Sequence, residues 1–218
     1  MKKCLILANG KPPSKSVITF LQKKAGYEFL ICADGGANTA FRLGLKPDVI
    51  IGDLDSIEDE IKKYFEKEVI VKKINRQNDT DVEKCLKFAV KKKFSNAILL
   101  AGTGDRLDHT IANLSIALKY FEKINVQILH QKSMLKIITS KNKIKTTIGE
   151  QISLFAFDEK TLFSSKGLKY PLRNISLPFG KKEGASNEAI TNEVEIDVKN
   201  GKAFLIREFK IMKEFGFI

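Results

Sequence analysis

Six short β-type runs, residues 4–8, 29–33, 49–51, 69–74, 97–101 and 126–129, are spaced through the first 130 residues and separated by segments of helical period. Runs that are apolar throughout, with no alternation, mark strands buried on both faces, and strand–helix alternation of this kind requires a parallel sheet flanked by helices. The intervening segments 17–24, 37–43, 57–65, 82–92 and 111–121 supply the crossovers. After residue 129 the pattern shortens to apolar runs at 135–138, 152–157, 194–198 and 203–206, separated by Gly, Asn, Lys and Ser. That half is expected to be all-β. The predicted architecture is therefore a doubly wound, mostly parallel α/β domain over 1–130, followed by a β-sandwich over 131–218, with a change of period as the boundary.

Composition narrows the function. The 218 residues carry 38 Lys+Arg against 26 Asp+Glu, a net charge of +12 that invites a polyanion or a phosphorylated small molecule. The excess is spread evenly, with no basic block or tail, which argues against nucleic acid as the partner. The acids are sorted by type: nine of eleven Asp precede residue 125, whereas eight of the ten later acids are Glu. Cys4, Cys32 and Cys85 form no Cys-x-x-Cys pair and suit a reducing cytoplasm. The opening apolar run is too short for an export signal, and no stretch approaches the ~18 apolar residues of a membrane helix. A cytoplasmic protein with no membrane partner is expected.

The Asp residues collect where ligands bind in such a sheet, beyond the carboxyl ends of the strands. The run 29–33 leads into Asp34-Gly35-Gly36-Ala37-Asn38, whose glycines permit positive φ and close backbone approach at a helix start that favours phosphate. The run 49–51 leads into Gly52-Asp53-Leu54-Asp55-Ser56. Carboxylates at i and i+2 repel unless a cation lies between them, which points to Mg²⁺. Gln77-Asn78-Asp79-Thr80-Asp81 precedes a helix and offers both a cap and another carboxylate. The run 97–101 leads into Gly102-Thr103-Gly104-Asp105-Arg106-Leu107-Asp108-His109: glycines to admit a phosphate, Arg106 to grip it, Asp108 to fix Arg106 or reach a substrate cation, and His109 as a proton shuttle or a helix-start residue. His130 is expected to be structural. Gly10-Lys11-Pro12-Pro13-Ser14-Lys15-Ser16 lacks the glycine that a Walker A loop needs before its lysine, and there is no Gly-x-Ser-x-Gly elbow.

In this order the motifs resemble the thiamine pyrophosphokinase family: Ala33 to Asn38, Gly52 to Ser56, Thr80-Asp81 with Glu83, and Gly104 to Asn113. Gly167-Leu168-Lys169-Tyr170-Pro171-Leu172 and Gly184-Ala185-Ser186-Asn187-Glu188 extend the resemblance into the β half. Asn78 stands where many members carry Asp, Asp105 where many carry Gly, and Tyr170 where some carry Trp. The resemblance implies transfer of pyrophosphate from ATP to the hydroxyl of thiamine, giving thiamine diphosphate and AMP. It further implies a homodimer whose composite sites join the first domain of one chain to the second of its partner. Residue by residue, it implies Mg²⁺ on Asp53, Asp55 and Asp81. Asp34, Arg106 and Asp108 would act beside the cation, and Gly35, Gly36, Asn38, Gly102, Gly104, Arg106 and His109 would bind ATP. Gln77, Asp108, Tyr170, Ser186 and Asn187 would bind thiamine, Tyr170 by stacking on its pyrimidine. Two alternatives remain open: a pyrophosphokinase for another alcohol such as a pterin, which residues 167–188 disfavour, and a basic nucleic-acid-binding protein.

Overall fold

The computed structural model describes residues 1–75, 78–104 and 106–215, and the chain divides into two compact units, Met1–Gln131 and Lys132–Ile218. Unit 1 alternates strand and helix without exception: β1 (Lys3–Leu7), α1 (Lys15–Lys23), β2 (Phe29–Ala33), α2 (Gly36–Arg42), β3 (Val49–Gly52), α3 (Asp59–Phe65), β4 (Ile70–Lys73), α4 (Asp81–Lys91), β5 (Asn96–Leu100), α5 (Leu107–Tyr120) and β6 (Asn125–His130). The six strands are parallel in the order β6-β5-β1-β2-β3-β4. Leu5, Ile6 and Leu7 at the centre have no exposed surface. Burial of each contributes up to about 1.5–3 kcal/mol. The edge is different, because β4 is largely exposed, with Ile70 62% accessible, so its run was not one buried on both faces.

The helices cover the sheet through regular apolar stripes. In α4, Val82, Cys85, Leu86 and Ala89 recur at three- and four-residue spacing and are buried, and the helix packs on β1, β2 and β3. Thr80 caps it, its Oγ1 accepting from Glu83 N at 3.2 Å. The chain order steps outward from β1 to β4 and then returns to β5 on the other side of β1. That reversal opens a crevice at the carboxyl ends of β1 and β5.

The named strands of unit 2 all pair antiparallel. The long strands β7 (Ser133–Lys145) and β12 (Glu193–Glu208) pair along nearly their whole length, with a register shift between Val198 and Ala203. Before the shift β12 also pairs with β9 (Leu162–Lys166), which pairs with β10 (Arg173–Ser176); after it β12 pairs with β8 (Gln151–Ala156), which pairs with β11 (Gly184–Glu188). One bent ribbon thus supplies the centre of two sheets. Ile152, Leu154, Phe163, Ile196 and Leu205 belong to its core. The runs 194–198 and 203–206, expected as two strands, are one strand bent at Asn200, whose φ is 60°. A short helix, α6 (Phe209–Glu214), follows, and it carries too few residues to show a helical period. Arg207 and Glu150 form a buried bidentate pair, 2.7 and 2.8 Å, inside this unit. Among the described residues no helix is long and apolar enough to cross a membrane.

Candidate active site

The crevice of unit 1 holds a cleft of about 170 Å³, reached by Asn9 beyond β1, Asp34 beyond β2, Ser56 beyond β3, Asp81 at the start of α4, Thr103 beyond β5, and Arg106 before α5. Asp34 is 2% exposed and takes φ 41°. The positive φ expected of Gly35 or Gly36 therefore falls on the aspartate, a residue that tolerates it. The glycines serve close approach: a Cβ on Gly36 would lie 2.1 Å from Leu7 O, and one on Gly35 2.5 Å from the Asn9 side chain. Gly52 has the same role toward the aspartate, since its Cβ would lie 2.6 Å from that of Asp34.

Asp34, Asp53 and Asp81 converge, with one carboxylate oxygen of each within 4.8 Å of the others. Asp34 stands where the sequence had suggested Asp55, which lies outside this group and accepts from Ser56 Oγ at 2.9 Å. Asp34 Oδ2 accepts from Ser56 N at 3.3 Å, whereas Asp34 Oδ1 and Asp53 Oδ1 are buried with no hydrogen-bond partner among the described residues. Burial above all, with the neighbouring acids, pushes the Asp34 carboxyl up to about 7, against the Ser56 amide. Asp53 moves the other way: burial opposes its ionisation, but the neighbouring Asp34 carboxyl, the Lys84 ammonium and the Asp55 amide outweigh it. Lys84 Nζ lies 2.8 Å from Asp81 Oδ1 and 4.0 Å from Asp53 Oδ2. Sequence reasoning passed over this lysine, whose place in Thr80-Asp81-Val82-Glu83-Lys84 reads as an ordinary first-turn residue.

On the other side of the cleft, Arg106 donates to Asp108 through Nε at 3.1 Å and Nη2 at 2.6 Å, and this grip holds the Asp108 carboxyl down to about 2. His109 is exposed and lines the cleft. Gly102 accepts from Asn113 Nδ2 at 2.7 Å, and Gly104, at φ 95°, lies against His130, whose Nδ1 is 2.7 Å from Thr103 Oγ1. His130 thus supports the loop after β5. Asn38 is committed at both ends of its amide, donating to Ser56 O and accepting from Glu58 N, so it fastens the loop after β3.

Tyr170, Ser186 and Asn187 lie together in unit 2. Asn187 clasps the backbone of Tyr170, accepting from its N at 3.1 Å and donating to its O at 2.7 Å, while the Tyr170 residue is 64% exposed. Ser186 takes φ 55° and its N donates to Ser153 Oγ. Gln77 and Asp105 lie outside the described residues.

Comparison with known proteins follows the same division. The thiamin pyrophosphokinase catalytic-domain model matches residues 20–128, and the thiamin pyrophosphokinase vitamin B1 binding-domain model matches residues 137–203. Thiamin pyrophosphokinase 1 of Caenorhabditis elegans is 28% identical over 217 residues, spanning 92% of this chain and 87% of its own. Thiamine pyrophosphokinase 3 of rice is 30% identical over 186 residues, spanning 72% and 69%. The crystal structure of thiamine pyrophosphokinase from Bacillus subtilis superposes with a TM-score of 0.81 at 24% identity, covering 95% of this chain and 99% of that one. The yeast thiamin pyrophosphokinase structure gives a TM-score of 0.81 at 19% identity, covering 98% and 89%, and supports the fold. With both family models matched in order, and a relative of this identity and coverage, the chain belongs to the thiamin pyrophosphokinase family.

Proposed function

We propose that this enzyme transfers the β,γ-pyrophosphoryl group of ATP to the primary hydroxyl of thiamine, releasing AMP, in the cleft where Asp34, Asp53 and Asp81 converge. The observation that carries the reading is that convergence: three carboxyl groups from two strand ends and a helix start meet beside the crevice at the sheet's switch point, Asp34 and Asp81 lining it, in a chain matched by both family models.

Two buried carboxylate oxygens without donors among the described residues, in a set of hard oxygen ligands, fit a divalent cation such as Mg²⁺. Asp53 and Asp81 would hold it, with Asp34 completing the group and Asp55 beside them. When bound, the cation would neutralise charge on the transferring phosphoryl oxygens. The chain's own residues do the rest. Arg106, before α5, offers a planar fork to phosphate oxygens, and Asp108 keeps that fork oriented. Asp34, which completes the carboxylate group, and Asp108, paired with Arg106, are the two candidate acceptors of the hydroxyl proton. Gly35, Gly36, Gly102, Gly104 and His109 border the nucleotide, while Tyr170 offers an exposed aromatic face to the pyrimidine and Asn187 acts through Tyr170.

We further propose a homodimer with composite sites. Leu107 and Ile111, 75% and 60% exposed one turn apart on α5 beside the cleft, present an apolar face suited to a covering chain. A reducing compartment such as the cytoplasm agrees with three buried free thiols. The test is AMP release and thiamine diphosphate formation from ATP, Mg²⁺ and thiamine. Turnover no faster with thiamine than without it would overturn the assignment.

A further inference from the structure

Lys84 has no reason of packing to carry a charge. Its side chain is 3% exposed, and lysine is almost never buried to that degree unless it is paired. Its partners are two members of the carboxylate group: Asp81, one turn earlier on the same face of α4, at 2.8 Å, and Asp53 at 4.0 Å. The helix start that carries both Asp81 and Lys84 is fixed by the Thr80 cap. Carboxyl groups held within 4.8 Å of one another repel when ionised, and a desolvated ammonium beside them is the charge that offsets this.

We infer that Lys84 is the internal counter-ion of the carboxylate cluster, a positioning residue that holds Asp53 and Asp81 in place in the absence of a divalent cation and competes with that cation for them. The inference rests on the cation reading proposed above. Its consequence has opposite signs in the two states. Without a cation, Lys84 stabilises the cluster; with one, its positive charge repels the ion and weakens binding. A lysine that merely filled space would do neither.

The experiment uses Mn²⁺ alone as the probe, without nucleotide. Free Mn²⁺ is read by electron paramagnetic resonance, and stability by urea unfolding in EDTA and in excess Mn²⁺. Lys84→Met is expected to bind Mn²⁺ at least about tenfold more tightly than wild type, because a unit charge a few ångströms from a divalent ion is removed. It should also be less stable than wild type in EDTA, with the gap closing in Mn²⁺. Lys84→Arg, which keeps the charge, should stay within about threefold of wild type in Mn²⁺ affinity. If Lys84→Met does not fold in EDTA, excess Mn²⁺ is expected to fold it, and a chain that stays unfolded in both overturns the inference. Mn²⁺ binding that is normal in wild type and no tighter in Lys84→Met overturns the role of Lys84 alone. Wild type that binds no more Mn²⁺ than an Asp53→Asn control overturns the cation reading on which it rests.

Discussion

Replacing Asp34 by Asn should make the cation-free protein more stable while removing its activity. Asp34 is 2% exposed and its carboxyl is pushed from 3.8 to about 7, so the folded state binds its proton more tightly than the unfolded state does. A group of this kind contributes stability that is fully present below the unfolded value and lost as pH rises through the folded value. The loss above pH 7 is at most about 4 kcal/mol, roughly three pH units at about 1.36 kcal/mol each. The Asn side chain carries no charge, retains an oxygen to accept from Ser56 N, and tolerates the φ of 41°. The variant should therefore exceed wild type by about 1–4 kcal/mol at pH 8 in EDTA, and the advantage should shrink by more than half at pH 5. Urea unfolding followed by helical circular dichroism reads the relevant unit, because α1 to α5 all lie in it. With saturating Mg²⁺ the order should reverse, since wild type gains binding energy that the variant forgoes. An Asp34→Asn chain no more stable than wild type at pH 8 in EDTA, or equally favoured at both pH values, would refute the reasoning.

Gly36→Ala should cost at least about 2 kcal/mol by urea unfolding, because a Cβ 2.1 Å from Leu7 O forces α2 off β1. Gly52→Ala should instead act on the cluster, moving Asp34 and abolishing Mn²⁺ binding by the same resonance assay, since the new Cβ would lie 2.6 Å from that of Asp34. Tyr170→Ala should raise the KM for thiamine by about tenfold or more while leaving that for ATP nearly unchanged; equal rises in both would contradict the stacking role. At thiamine well below the KM of Tyr170→Ala, mixing Asp53→Asn chains with Tyr170→Ala chains should raise activity above that of either variant alone, toward about one quarter of wild type, by rebuilding one intact composite site in each mixed dimer. No recovery, with exchange verified by mass spectrometry of labelled chains, would place the whole site in one chain.

The strand ends were legible because each central strand is an apolar run stopped by Gly, Asp or Asn, and a parallel sheet gathers such stops on one edge. The order of the sheet follows from no single run, yet it decides that the loops after β1 and β5 share the cleft. Asp34 was found by its position, but its left-handed backbone was assigned to the glycines because their freedom is visible in sequence and the demand for close approach to Leu7 is not. Asp55 looked equivalent to Asp53 at two-residue spacing. The turn through Leu54, at φ 66°, breaks that equivalence and leaves Asp55 to Ser56. Lys84 was illegible, since nothing local distinguishes a buried lysine from a solvated one. In the β half, β9, β10 and β11 are short and polar, and their pairing is set by the ribbon that they join rather than by their own hydropathy.

That ribbon also bears on the order of biosynthesis. Unit 1 draws every strand from residues before Gln131 and can close as soon as that segment clears the ribosome. Unit 2 must wait: β7, β8 and β9 each pair with β12, so the β9 side has no centre until Lys199 has been made and the β8 side none until Ile206. During that interval β9 with β10 and β8 with β11 can form only two-stranded pairs and β7 lacks its β12 partner, so apolar faces and open edges are exposed to misassembly. Stalled nascent chains ending just before Glu193 should yield a protease-resistant first unit attached to a digestible second segment, and chains extended past Glu208 should resist throughout.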